Sequence, residues 1–154
     1  MVPEYVDGAI ANVFTAFNED GTLDDTGQRN LLDALLATQS ISAYLMRSGM
    51  GQMYTFSFDE VKRIAQNACA HLAGIAPVLV GASGIWDRNR EKKPASEVYT
   101  RQAIELSQYA QDVGAAGVVL TIPEALVPRE NETPLDACLR YLERVSEAID
   151  IPIF

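Results

Sequence analysis

The strongest constraint on this chain is an alternation of two hydrophobic periods. Short, nearly unbroken apolar runs occupy residues 9–14, 41–46, 76–80, 117–121 and 151–154. They lack polar alternation, so they read as strands covered on both faces. Amphipathic segments of helical period lie between them. The first carries Leu31, Leu32, Leu35 and Leu36 and is expected to start at Asp25, with Gln28 placed to reach back to the helix start. The second opens on Ser57-Phe58-Asp59-Glu60, a capping box, and sets Val61, Ile64, Ala65, Ala68 and Leu72 on one face. The third has a stripe of Tyr99, Ala103, Leu106, Ala110 and Val113, with Gly114 just past its end. The fourth begins at Thr133-Pro134, a cap followed by proline at the first helical position, and its expected stripe is Leu135, Leu139, Leu142 and Ile149.

The resulting order is βαβαβαβαβ, which predicts parallel strands joined by right-handed helical crossovers. Two α/β architectures share that order. One is a flavodoxin-like sheet of five strands. The other is the first half of a (β/α)₈ barrel, whose full length is about 250 residues. A flavodoxin-like domain needs a further helix to cover its sheet, whereas this sequence closes on Ile151-Pro152-Ile153-Phe154 within a strand pattern. The expected architecture is therefore a TIM barrel represented by its first four βα units and the start of strand five, with residues 1–154 as the N-terminal half of one domain.

Charge and composition exclude several roles. The net charge of −9 disfavours nucleic acid, whose binders gather Lys and Arg on one face. No apolar run has the length of a membrane span, and Met1-Val2-Pro3-Glu4 lacks the pattern of a signal peptide, so a cytoplasmic location is expected. Cys69 and Cys138 fall in helical patterns and read as free thiols. His71 is the only histidine and reads as a surface residue near the end of the second helix, so no metal site is expected. Tyr44, Tyr54 and Trp86 read as packing or loop residues. The segment 84–96 holds Arg88, Arg90, Lys92 and Lys93 on the side where barrel active sites form, as a solvated insertion or as a contact for an anion.

Several segments, taken in order, resemble the dihydrodipicolinate synthase / N-acetylneuraminate lyase family. Gly8-Ala-Ile-Ala-Asn-Val-Phe-Thr-Ala-Phe17 followed by Asp20-Gly21 is similar to its first strand and loop. Ser48-Gly49-Met50-Gly51-Gln52, followed by Phe56-Ser57 and Asp59-Glu60, has the spacing of its Gly-Thr-Thr-Gly-Glu turn and second helix. Ala76-Pro77-Val78-Leu79-Val80-Gly81, Thr100 to Leu106, Val118 to Thr121 with Pro123, and Ile151 to Phe154 resemble the strands and helix that follow. The resemblance covers nearly the whole chain and the first half of a family member.

It implies a lyase or aldolase that acts on pyruvate or a related 2-keto acid. A lysine amine would form a Schiff base with the ketone, and this route needs no metal and no organic cofactor. The lysine would have to be desolvated and point into the barrel mouth. Lys62, beside Arg63 in a helix, and Lys92 and Lys93, in a charged loop, do not fit. The resemblance places both that lysine and a catalytic tyrosine beyond Phe154, so no catalytic residue is assigned within this chain. The substrate carboxylate is expected at Arg47, Ser48, Gly49, Met50 and Gly51. Gly49 and Met50 lose the two hydroxyls of the family turn, backbone amides remain, and Ser48 can supply one hydroxyl. Arg47 either faces the mouth, to pair with a second carboxylate, or faces outward as a surface charge. Pro123-Glu124-Ala125 replaces the family's Pro-Tyr-Tyr, with Glu124 read as exposed. Homo-oligomers, often tetramers, are also implied. A non-catalytic relative that binds a small acid or acts by assembly is the alternative. A self-contained nucleotide- or flavin-binding domain ranks behind it, because no glycine-rich phosphate loop follows the first strand.

Overall fold

The computed structural model describes residues 3–86 and 93–154. After a 3₁₀ turn over Glu4–Asp7, the elements run β1 (Ala9–Asn12), α1 (Asp25–Leu36), β2 (Ile41–Met46), α2 (Phe58–His71), β3 (Val78–Gly81), α3 (Ser96–Asp112), β4 (Gly117–Val119) and α4 (Pro134–Ser146). The sheet order is β1-β2-β3-β4, and every pairing is parallel. A doubly wound sheet reverses its order at a switch point. This one never reverses, so each crossover advances the sheet by one strand, as along the wall of a barrel. Residues 151–154 extend the series: Val118 pairs in parallel with Ile153, and Phe154 N–H donates to Val118 O at 2.9 Å.

Two strands are shorter at their C-terminal ends than the apolar runs. β1 ends at Asn12 and β4 at Val119. Backbone bonds run one residue further, Val13 N–H donating to Leu45 O and Leu120 N–H to Phe154 O, before Thr121 N–H turns to Ser83 Oγ at 2.8 Å. One sheet face packs on the helices through Tyr44, Met46, Val78, Val80 and Val118, all buried with Leu32, Val61, Ile64, Ala103 and Leu106. Each Val, Leu, Ile or Met among them contributes about 1.5–3 kcal/mol by leaving water. The opposite face carries Leu45, Leu79 and Val119, and a Cβ on Gly117 would touch both Leu79 and the Phe154 ring.

Helix ends follow local chemistry. Ser57 with Glu60, and Thr133 with Asp136, form complete capping boxes. α3 ends in a Schellman turn: Ala115 N–H donates to Ala110 O, Gly114 N–H donates to Gln111 O, and Gly114 sits at φ +92°. Two expectations are corrected. α1 is capped by the Asp24 carboxylate, which accepts from Thr26 and Gly27 N–H, and Gln28 does not reach back to the helix start. Instead its side chain accepts from Ala16 N–H and donates to Phe14 O, pinning the loop that leaves β1. In α4 the buried stripe is Ala137, Tyr141 and Val145, continued by Ile149, whereas Leu135 and Leu139 are 65% and 46% exposed. The large Tyr141 ring, tilted against Tyr99 of α3, sets the helix rotation in place of the leucines.

Candidate functional site at the mouth of the sheet

The C-terminal ends of the strands meet at one edge. β2 leaves the sheet through Arg47, which adopts φ +54°, a left-handed conformation that costs a non-glycine residue roughly 1 kcal/mol or more. Its carbonyl lies where β3 needs room: a Cβ on Gly81 would collide with Arg47 O. The Arg47 side chain is 2% exposed. Nη1 donates to Gly81 O at 2.9 Å and Ser83 O at 2.6 Å, and Nη2 donates to Gly84 O at 3.3 Å. Arg47 is therefore not a surface charge. With Nη1 spent on two carbonyls, the end of the guanidinium is also closed to a forked contact with a second carboxylate. Nε is buried without a partner. Burial pulls the guanidinium down to about 10, and the titratable groups near it are the phenols of Tyr99, Tyr141 and Tyr54 rather than any carboxylate.

The 48–51 turn follows directly. Ser48 O accepts from Gly51 and Met53 N–H, and Ser48 Oγ accepts from Gly51 N–H at 3.1 Å. Gly51 packs so tightly on the exit of β1 that a Cβ would approach Val13 O to 2.7 Å, while Thr15 Oγ1 donates to Gly51 O. Gln52 closes the turn at φ +66°. The N–H groups of Gly49 and Met50 are left without an acceptor among the described residues. The Met50 side chain is 58% exposed. Arg47, Ser48 and Gly49 line a cavity of about 130 Å³ together with Asn12, Gly81 and Thr121.

A larger cavity of about 400 Å³ opens beside it, lined by Tyr54, Trp86, Thr121, Ile122, Pro123 and Glu124. Tyr44 is core, and Tyr54 and Trp86, both in loops, line this opening. Glu124 is exposed and Ala125 is buried; Ala125 O accepts from Ser96 Oγ at 2.6 Å. Sequence reasoning missed Asn12, Ser83 and Thr121. Ser83 Oγ and Thr121 Oγ1 lie 3.0 Å apart, joining the exits of β3 and β4. Beneath them Tyr99 and Tyr141 are held above the ordinary phenol range by burial, so both stay protonated at neutral pH.

The described lysines lie away from this mouth or in solvent. Lys62 pairs with Glu105 at 3.0 Å and covers the Phe58 and Tyr109 rings on the helical layer. Lys93 is exposed. Arg88, Arg90 and Lys92 lie outside the described residues. His71 contacts Asp33 at 2.7 Å on the surface. Among the described residues no three His, Cys, Asp or Glu side chains gather as a metal-binding group, and no helix is long and apolar enough to cross a membrane.

Comparison with known proteins gives a consistent result. The model of the dihydrodipicolinate synthetase family matches residues 5–134. The putative 2-dehydro-3-deoxy-D-gluconate aldolase YagE of Escherichia coli K12 is 32% identical over 146 residues, 95% of this chain and 42% of that protein. The 4-hydroxy-tetrahydrodipicolinate synthase of Herminiimonas arsenicoxydans is 28% identical over 147 residues, 96% of this chain and 44% of that protein. The crystal structure of YagE in complex with pyruvate superposes with a TM-score of 0.76 at 30% identity, covering 95% of this chain and 43% of that one. An N-acetylneuraminate lyase from Mycoplasma synoviae reaches a TM-score of 0.77 at 18% identity, a likeness of fold alone. The chain spans less than half the length of these relatives, and its sheet and helices match the N-terminal part of their barrels.

Proposed function

The chain belongs to the dihydrodipicolinate synthetase family, and from that premise we propose that residues 1–154 are the N-terminal half of a single TIM-barrel domain in a lyase or aldolase acting on pyruvate or a related 2-keto acid. The observation that carries this reading is the 48–51 turn. It stands at the C-terminal end of a parallel strand, where barrel active sites form, and presents two uncommitted amides beside a small cavity. Free backbone amides in a turn suit a carboxylate. The Ser48 hydroxyl, whose oxygen holds Gly51 N–H, retains a proton to donate.

In this reading a lysine from outside residues 1–154 attacks the keto carbon. A C–N bond forms and the ketone oxygen leaves as water. The protonated imine then receives the electron pair of the carbon–carbon bond being broken, or supplies it as an enamine when a bond is made. The turn holds the acid end so that the keto carbon faces the amine. The cavity beside Tyr54, Trp86 and Glu124 takes the remainder of the substrate. The protein works in the cytoplasm as a homo-oligomer, with no metal or organic cofactor.

Intact mass before and after incubation with pyruvate and borohydride tests this directly, since reduction fixes a Schiff base as a permanent adduct. The full-length protein is expected to gain the adduct, and a polypeptide of residues 1–154 is expected neither to gain it nor to turn over. Absence of the adduct from the full-length protein would overturn the reading. If pyruvate then still bound by calorimetry, the protein would be a non-catalytic relative that captures a small acid. The exposed Glu124 and buried Ala125, at positions where the family carries tyrosines, favour that second reading.

A further inference from the structure

We propose that the buried charge of Arg47 determines specificity for an acid over its neutral analogue, acting from beneath the 48–51 turn; this rests on the proposed binding of a 2-keto acid there. Several observations converge. Arg47 is a buried cation that no carboxylate among the described residues faces. Such a charge is costly unless something compensates it. Its bonds to the carbonyls of Gly81, Ser83 and Gly84 satisfy donors but leave the net charge uncancelled. Nε still lacks an acceptor.

The same residue lines the small cavity, next to a turn whose Gly49 and Met50 amides are uncommitted and whose side chains supply one hydroxyl. Arg47 and Gln52, flanking that turn, both hold left-handed backbone conformations, a strain that persists where surrounding structure enforces it and that clusters at binding sites. A carboxylate seated on the turn would place its charge near a fixed cation that is itself shielded from solvent. The missing counter-ion is then the substrate itself. Residues 49 and 50 can lack hydroxyls because the charge of Arg47 takes over part of their work. The guanidinium is closed off from solvent, so it acts through its field and through the carbonyls it braces, without touching the substrate.

The test uses full-length protein and two probes, pyruvate and its neutral methyl ester, each trapped with borohydride to obtain the concentration for half-maximal labelling. The ratio of the two is the readout. Arg47→Gln keeps a neutral donor for the carbonyls and removes the charge. Arg47→Lys keeps the charge with fewer donors. The wild type should prefer the acid, and Arg47→Gln should lose that preference by about tenfold or more while still labelling with the ester. Arg47→Lys should retain the preference at neutral pH and lose it as pH rises, because a buried ammonium gives up its proton more readily than a guanidinium. A residue that only braces the fold would weaken acid and ester alike. An unchanged ratio in Arg47→Gln, or equal ratios for both variants at every pH, would overturn the proposal. A wild type that forms no adduct would instead remove the underlying reading, and this one with it.

Discussion

Single residues at the mouth do two jobs whose requirements conflict. Gly81 must leave room for Arg47 O, and Arg47 must turn left-handed to send its guanidinium back under β3. Adding one methyl at Gly81 meets backbone rather than the flexible end of a side chain, so the strand must shift. Gly81→Ala is expected to lower stability by about 1–3 kcal/mol in urea unfolding and to disturb the turn. A midpoint equal to wild type would mean that the contact yields freely. Little of this was legible in the sequence. An arginine after an apolar strand admits an inward or an outward reading, and only the carbonyls of the third strand and its exit, 34 to 37 residues away, decide between them. Gln28 misled for the same reason, since its partners are the backbone of residues 14 and 16 rather than its own helix.

Elements were more legible, because their signals are local. Capping boxes and the Gly114 exit place helix ends from neighbours within a few residues. The α4 stripe failed because leucines at helical spacing compete with Ala137, Tyr141 and Val145, and packing against α3 chooses between the two faces. The start of α4 is also held by charge. Arg140 donates twice to Glu132, and Arg129 N–H donates to it as well, which brings its carboxyl from the ordinary 4.5 down to about 2. Asp136, accepting from Thr133, and Glu97, bonded to Arg144 and Arg129, are lowered too. A depressed folded-state value adds stability above the unfolded value and loses it as pH falls through the folded one. Stability is therefore expected to decline between about pH 4.5 and about pH 2. In urea unfolding, the gap between wild type and Glu132→Gln should be present at neutral pH and close over that window. Solvent screening at these partly or fully exposed carboxylates keeps the effect modest. A gap that stayed constant with pH would assign the loss to packing instead of charge.

At the scale of the whole molecule, alternation of strands and helices names a class of fold but not its closure, since a doubly wound sheet and a barrel wall share it. Strand order separates them: a sheet that advances one strand per crossover without reversal keeps curving in one sense, and its inner face must be filled from elsewhere. Here that face carries Leu45, Leu79, Val119 and a partly exposed Phe154. β1 and the run at Ile153 bound the described sheet without a further neighbour among the described residues. Unpaired edges beside an apolar face invite another chain. A polypeptide of residues 1–154 is accordingly expected to self-associate in sedimentation experiments and to enhance the fluorescence of a dye that binds exposed apolar surface. The full-length protein should show a discrete oligomer and little dye signal. Full helical signal in a sharp, dye-negative monomer of residues 1–154 would contradict this. It would mean that four βα units close their own core, and that the mouth holding Arg47 and the 48–51 turn can be assembled without the rest of a barrel.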